Sequence, residues 1–199
     1  MIILVLGGAS SGKSEIGERL AGGLGAPVTF VATGARVDQG MTDRIAAHRA
    51  LRPPSWATEE VRQGGNLALV LRDLSGVALV DSLGTWVAGM GYWAKGAGDL
   101  HGGEAVVITA IGRGLCDILV SRDGDTVVVS DEVGLGVHPA TDTGRRFRDA
   151  LGRLNAQVAE VADRVLLVVA GQVLLLDRPS GVAGVAGLGG LGDELGWSR

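Results

Sequence analysis

Cysteine is almost absent from this chain: there is one, Cys116, in 199 residues. A lone thiol closes no internal disulfide and builds no zinc cage, so a reducing, cytoplasmic setting is expected. Excess positive charge is absent too. Lys and Arg number 18 against 22 Asp and Glu, a formal balance of −4. A broad nucleic-acid footprint needs a basic face, so nucleic acid is not an expected partner. No apolar run approaches the roughly 18 residues that cross a bilayer, which excludes a membrane span by that criterion. The first residues, Met1 to Gly8, carry no basic segment before their apolar run, so no signal peptide is expected. Disorder is excluded by a hydrophobic share of 46 %.

Glycine is what the chain has in excess, 34 residues. Much of it falls in a tail, Ser180 to Gly196, with no helix or strand period. Before it, apolar runs alternate with helical patterns. Strands are expected at 2–6, 28–32, 77–80, 126–129 and 165–169, with 173–176 as a hairpin partner. Helices are expected at 13–20, 41–51, 66–71, 83–93, 104–120 and 143–162. Such alternation predicts an α/β fold with a mainly parallel sheet flanked by helices. Residues 1–179 read as one catalytic domain and 180–199 as a glycine-rich tail. Gly7, Thr33, Asp81 and Asp131 all close strands, so the ligand edge of the sheet should gather them.

Gly7-Gly8-Ala9-Ser10-Ser11-Gly12-Lys13-Ser14 fits G-x-x-x-x-G-K-[ST] without a mismatch, between a strand and a helix. This is the P-loop NTPase cradle. Its glycines let backbone N–H groups close on phosphate oxygens, and the next helix presents its positive end. Lys13 supplies charge at the β- and γ-phosphates, and Ser14 is the expected Mg²⁺ ligand. Asp81 ends the run Val77–Val80, where a Walker-B acid would orient the same ion. A nucleoside triphosphate is therefore the expected ligand. A switch GTPase is not, since the guanine-reading N-K-x-D is missing.

His48 lies within four residues of Arg44, Arg49 and Arg52. Neighbouring cations favour neutral imidazole, a nucleophile, and arginine forks hold phosphate. A surface histidine in a basic turn is the competing reading of these residues. Cys116 reads as a small buried core residue, His101 and His138 as loop histidines, and the Arg145–Arg148 run as a solvated helix face.

Five blocks together carry a resemblance: G-G-A-x-S-G-K-S at 7–14, A-T-G at 32–34, R-I-x-x-H-x-x-x-R-P-x-x-W-x-T-x-E at 44–60, V-D-S-L-x-x-W at 80–86 and S-D-E-V-G-x-G at 130–136. Over about residues 1–171 the chain resembles the bifunctional adenosylcobinamide kinase / adenosylcobinamide-phosphate guanylyltransferases. The resemblance implies a RecA-like fold, a homotrimer, ATP or GTP with Mg²⁺, and adenosylcobinamide and its phosphate as substrates. It implies that His48 carries GMP between GTP and the corrinoid phosphate. It places nucleotide contacts on Gly7 to Ser14, on Ala32, Thr33 and Gly34, on Arg49, Ala50, Leu51 and Arg52, and on Glu60 and Asp81. The chain departs from the family pattern at Asp131, where Asn is more usual. It also departs at Ser82, Gly84 and Gly89 after Asp81, and at His138. A simple P-loop small-molecule kinase and a regulatory nucleotide-binding module are the rival expectations.

Overall fold

The computed structural model describes residues 1–33, 52–62, 64–90 and 103–177. Among the described residues seven strands form one sheet: β1 (Ile2–Gly7), β2 (Val28–Ala32), β3 (Ala57–Glu60), β4 (Val77–Asp81), β5 (Thr126–Asp131), β6 (Arg164–Val169) and β7 (Gln172–Leu176). Their order is β3-β2-β4-β5-β1-β6-β7. All pairings are parallel except the β6–β7 hairpin. The described helices are α1 (Lys13–Gly23), α2 (Leu67–Arg72), α3 (Leu83–Gly89), α4 (Gly103–Ser121) and α5 (Asp142–Val161). The expected α/β fold, a mainly parallel sheet flanked by helices with the G-x-x-x-x-G-K-[ST] loop between β1 and α1, holds.

The central strands β1, β4 and β5 are apolar because both sheet faces are covered there. Along β1, Ile2, Leu4 and Leu6 enter one core while Ile3 and Val5 enter the other, as the two-residue period requires. The first core packs against α2, α3, α4 and α5, through residues such as Leu71, Leu83, Leu115 and Leu154. The second packs against α1 through Ile16, Leu20 and Ala21. Cys116 belongs to the first core, and its thiol donates to the Gln157 carbonyl at 3.4 Å. Burial raises the Cys116 pKa, and Asp117 and Glu160 add to the rise.

Helix starts follow local chemistry. Asn66 caps α2 through the Leu69 N–H, Ser82 and Thr85 form a capping box on α3, and Thr141 caps α5. No side chain caps α1 at Gly12, so the positive end of that helix stays directed at the cradle. The expected helix at 41–51 lies outside the described residues, as do 91–93 of the fourth expected helix and the tail from 178. One strand was not expected. Ala57–Glu60 lacks an apolar run, yet it pairs with the free edge of β2. Backbone hydrogen bonding, not side-chain burial, makes it a strand.

Candidate functional site

The cradle begins where β1 ends. A Cβ on Gly7 would overlap Ser11 Oγ and lie 2.9 Å from the Val168 carbonyl, so only glycine fits there. Gly12, at φ 94°, turns the chain into α1. The loop is tied down by Ser11 N–H to the Gly8 carbonyl at 3.3 Å. The β6–β7 turn buttresses it, with Gly171 N–H donating to the Ser11 carbonyl at 2.8 Å. Gly8, Ala9 and Ser10 face solvent.

Lys13 and Ser14 open α1 and point at two different carboxylates. Ser14 Oγ donates to Asp81 Oδ1 at 3.3 Å. Lys13 Nζ lies 2.9 Å from Asp131 Oδ1 and donates to the Gly8 carbonyl at 3.1 Å. Burial pushes the Asp81 carboxyl above the ordinary carboxylate range. The Ser14 hydroxyl, then Lys13 and Arg52, oppose that rise, and Glu18 adds to it. A hydroxyl and a carboxylate brought together are hard oxygen donors suited to Mg²⁺, and their placement fits that ion.

The neighbouring strand ends complete the edge. Ala32 sits opposite both Glu60 and Asp81 in register. Thr33 is buried, and its hydroxyl donates to the Ser82 carbonyl at 2.6 Å. Thr33 thus braces the turn after β4. Arg52 Nε donates to Glu18 Oε1 at 3.1 Å, and its guanidinium carbon sits 3.2 Å from the Phe30 ring centroid. That anchors the stretch ahead of β3 onto α1 and β2. Trp56 packs against the same core, and Trp86 donates from its indole to the Gly65 carbonyl at 2.9 Å. His138 is locally bonded, its Nδ1 lying 2.7 Å from Arg148 Nη1.

Gly7 to Ser14, Ala32, Thr33, Arg52, Glu60 and Asp81 therefore lie at or beside one edge of the sheet. His48, Gly34, Arg49, Ala50 and Leu51 lie outside the described residues, as does His101. The contact set read from motifs leaves out Asp131, whose signal in the sequence is its place at a strand end. It also leaves out Glu18, which nothing marks except its helical spacing from Ser14.

A family model described as cobinamide kinase / cobinamide phosphate guanyltransferase matches residues 3–176. The chain is 37 % identical over 171 residues to a bifunctional adenosylcobalamin biosynthesis protein of Pseudomonas aeruginosa, covering 84 % of this chain and 92 % of that protein. It is 36 % identical over 181 residues to the bifunctional adenosylcobalamin biosynthesis protein of Salmonella typhimurium, covering 86 % and 97 %. The Escherichia coli protein of the same description is 35 % identical over 177 residues, again covering 86 % and 97 %. Among solved structures, an ATPase from the type III secretion system of pathogenic bacteria superposes with a TM-score of 0.50 at 16 % identity, covering 83 % of this chain and 50 % of that one. A Pyrococcus horikoshii protein superposes with a TM-score of 0.51 at 6 % identity, covering 87 % and 84 %. These last two likenesses concern the fold alone.

Proposed function

The chain belongs to the cobinamide kinase / cobinamide phosphate guanyltransferase family, and from that premise we propose how its residues divide two transfers at phosphorus. In the first, the hydroxyl oxygen of adenosylcobinamide bonds to the γ-phosphorus of ATP or GTP and gives up its proton, and ADP or GDP leaves. In the second, a ring nitrogen of His48 bonds to the α-phosphorus of GTP and pyrophosphate leaves. A phosphate oxygen of adenosylcobinamide phosphate then attacks that phosphorus, the N–P bond breaks, and adenosylcobinamide-GDP is formed.

One observation carries this reading. A full phosphate cradle, its lysine and a hydroxyl–carboxylate pair converge on one sheet edge, in a chain matched to the family over nearly its whole described length. Lys13 and backbone N–H groups of the loop from Gly8 to Ser14 would grip the β- and γ-phosphates and hold the reacting phosphorus in line with its attacker. Ser14 and Asp81 would hold Mg²⁺, which when bound neutralises charge on the phosphate oxygens. Arg52, fixed by Glu18 and Phe30, would set where the segment bearing His48 leaves the core.

We extend the proposal to a single catalytic domain over residues 1–179 and a cytoplasmic location, as the element order and the lone cysteine lead one to expect, and to a homotrimer, as the resemblance implies. Among the described residues no helix is long and apolar enough to cross a membrane.

The test is a pair of labelling reactions. GTP labelled in the α-phosphate, with Mg²⁺, should leave an acid-labile, base-stable adduct on wild-type protein and none on His48→Ala. γ-Phosphoryl transfer to cobinamide should persist in that variant. Transfer without an adduct on the wild type would reduce the protein to a small-molecule kinase, and absence of both would leave only a nucleotide-binding module.

A further inference from the structure

Asp131 is a built feature of the cradle. In register it stands opposite Gly7 on β1. Asn155 holds the end of β5 in place: its Nδ2 donates to the Asp131 carbonyl at 3.1 Å, and its Oδ1 accepts from Ser130 Oγ at 2.6 Å. The carboxylate then has two contacts. Oδ1 takes the Lys13 ammonium at 2.9 Å, and Oδ2 accepts from Ser82 Oγ at 3.4 Å. It occupies that place because residue 84 has no side chain. A Cβ on Gly84 would overlap Oδ2 and come within 3.0 Å of the carboxyl carbon.

This arrangement has an electrostatic consequence. Lys13 has only 12 % of its side chain exposed, so its pairing with Asp131 is partly shielded from water. Phosphate oxygens that approach the ammonium also approach a carboxylate at ion-pair distance from it. Like charges repel strongly at that range in a partly desolvated site. Metal-free triphosphate meets the full repulsion. Triphosphate that brings a divalent cation carries two fewer negative charges and meets much less.

We propose that Asp131, seated in the space left by Gly84, makes the cradle selective for metal-complexed over metal-free nucleoside triphosphate by competing for Lys13. This rests on the reading that Lys13 receives the phosphates. The two carboxylates then act on one ligand in complementary ways. Asp81, with Ser14, would hold the metal, and Asp131 disfavours its absence.

The experiment is equilibrium binding of a fluorescent GTP analogue with a non-hydrolysable β,γ bridge, in excess EDTA and in excess MgCl₂, using the full chain. Asp131→Asn, nearly isosteric, should bind about tenfold tighter than wild type in EDTA and within about threefold of it in MgCl₂. Gly84→Ala should shift the EDTA affinity in the same direction, because its methyl group displaces the carboxylate from Lys13. The double variant should show less than the product of the two effects, as coupled sites do. An unchanged EDTA-to-Mg²⁺ affinity ratio in Asp131→Asn, or weaker binding in EDTA, would overturn the proposal while leaving the cradle reading intact. Wild-type protein that binds the analogue in neither condition would overturn the cradle reading, and this proposal with it.

Discussion

The two halves of the ligand edge are held by different means. The cradle half, where β1, β4 and β5 end, is a web of polar side-chain contacts: Lys13 with Asp131, Ser14 with Asp81, Ser82 with Thr85, Ser130 with Asn155. The flank, where β2 and β3 end, has an exposed polar strand joined by backbone pairing and anchored by Arg52. The cradle half can therefore lose one side chain and keep its shape while its chemistry changes. The flank is placed by backbone pairing with β2, by Trp56 against the core and by the Arg52 guanidinium. A substitution in the first should act on catalysis, and one in the second on position.

The largest expected effect comes from Asp81→Asn. Loss of the metal-binding carboxylate should lower the rate of γ-phosphoryl transfer at saturating Mg²⁺ by about 10²–10³-fold, the equivalent of several kcal/mol of lost charge stabilisation. Stability should move the other way. The folded-state pKa of Asp81 lies above its unfolded value because of burial, so the ionised carboxylate disfavours the empty fold at neutral pH. Asparagine removes that penalty. Thermal unfolding should show a higher Tm for the variant at pH 7. The gain should shrink as pH falls through the raised Asp81 pKa, where the wild-type carboxyl becomes neutral too. A variant that is both slow and less stable would show that the cradle half is held together by this residue, which breaks the contrast.

Arg52→Ala probes the flank. The side chain is 9 % exposed and engages Glu18 and the Phe30 ring at once. Its loss should destabilise the fold by about 2 kcal/mol, leaving Glu18 without this partner and the ring uncovered. Formation of the guanylyl adduct should fall about tenfold, or about 1.4 kcal/mol, with phosphoryl transfer reduced no more than about threefold. Arg52→Lys should rescue little, since an ammonium neither stacks on the ring nor keeps the planar fork. Equal losses in both transfers, measured by the two labelling assays, would erase the functional difference between the halves.

The same division explains what could be read from the sequence. The cradle is eight contiguous residues whose chemistry demands their order, and Asp81 announces itself as an acid ending a buried run. The parallel sheet follows from short apolar segments spaced by helical ones. By contrast, Ala57–Glu60 has no pattern of its own and becomes a strand only because β2 offers an edge. Arg52 sits among three other basic residues, and nothing local singles out Glu18 and Phe30 as its partners. Gly84 reads as a missing polar side chain until the fold sets it against Asp131, when it becomes the space that carboxylate needs. Relations of that kind join distant positions through steric fit, which no local period encodes.

The smallest effect belongs to the element both halves share. Helix α1 presents Lys13 and Ser14 to the cradle and Glu18 to Arg52, and at Gly17 it touches the sheet. A Cβ there would lie 2.7 Å from Val129 Cγ2 and 3.3 Å from Leu79 Cδ1. Alanine improves helix propensity by up to about 1 kcal/mol, but forcing a methyl group into a packed core costs about 1–3 kcal/mol. Val129 is fully buried and β-branched, so it cannot swing aside cheaply, and the steric cost wins. Gly17→Ala should lower stability by about 1 kcal/mol, or a Tm loss of about 2–4 °C for a chain of this size. Because the whole helix lifts, both transfers should slow by the same factor. A change confined to one of them would mean that the cradle and the flank are not carried by α1 as one rigid piece.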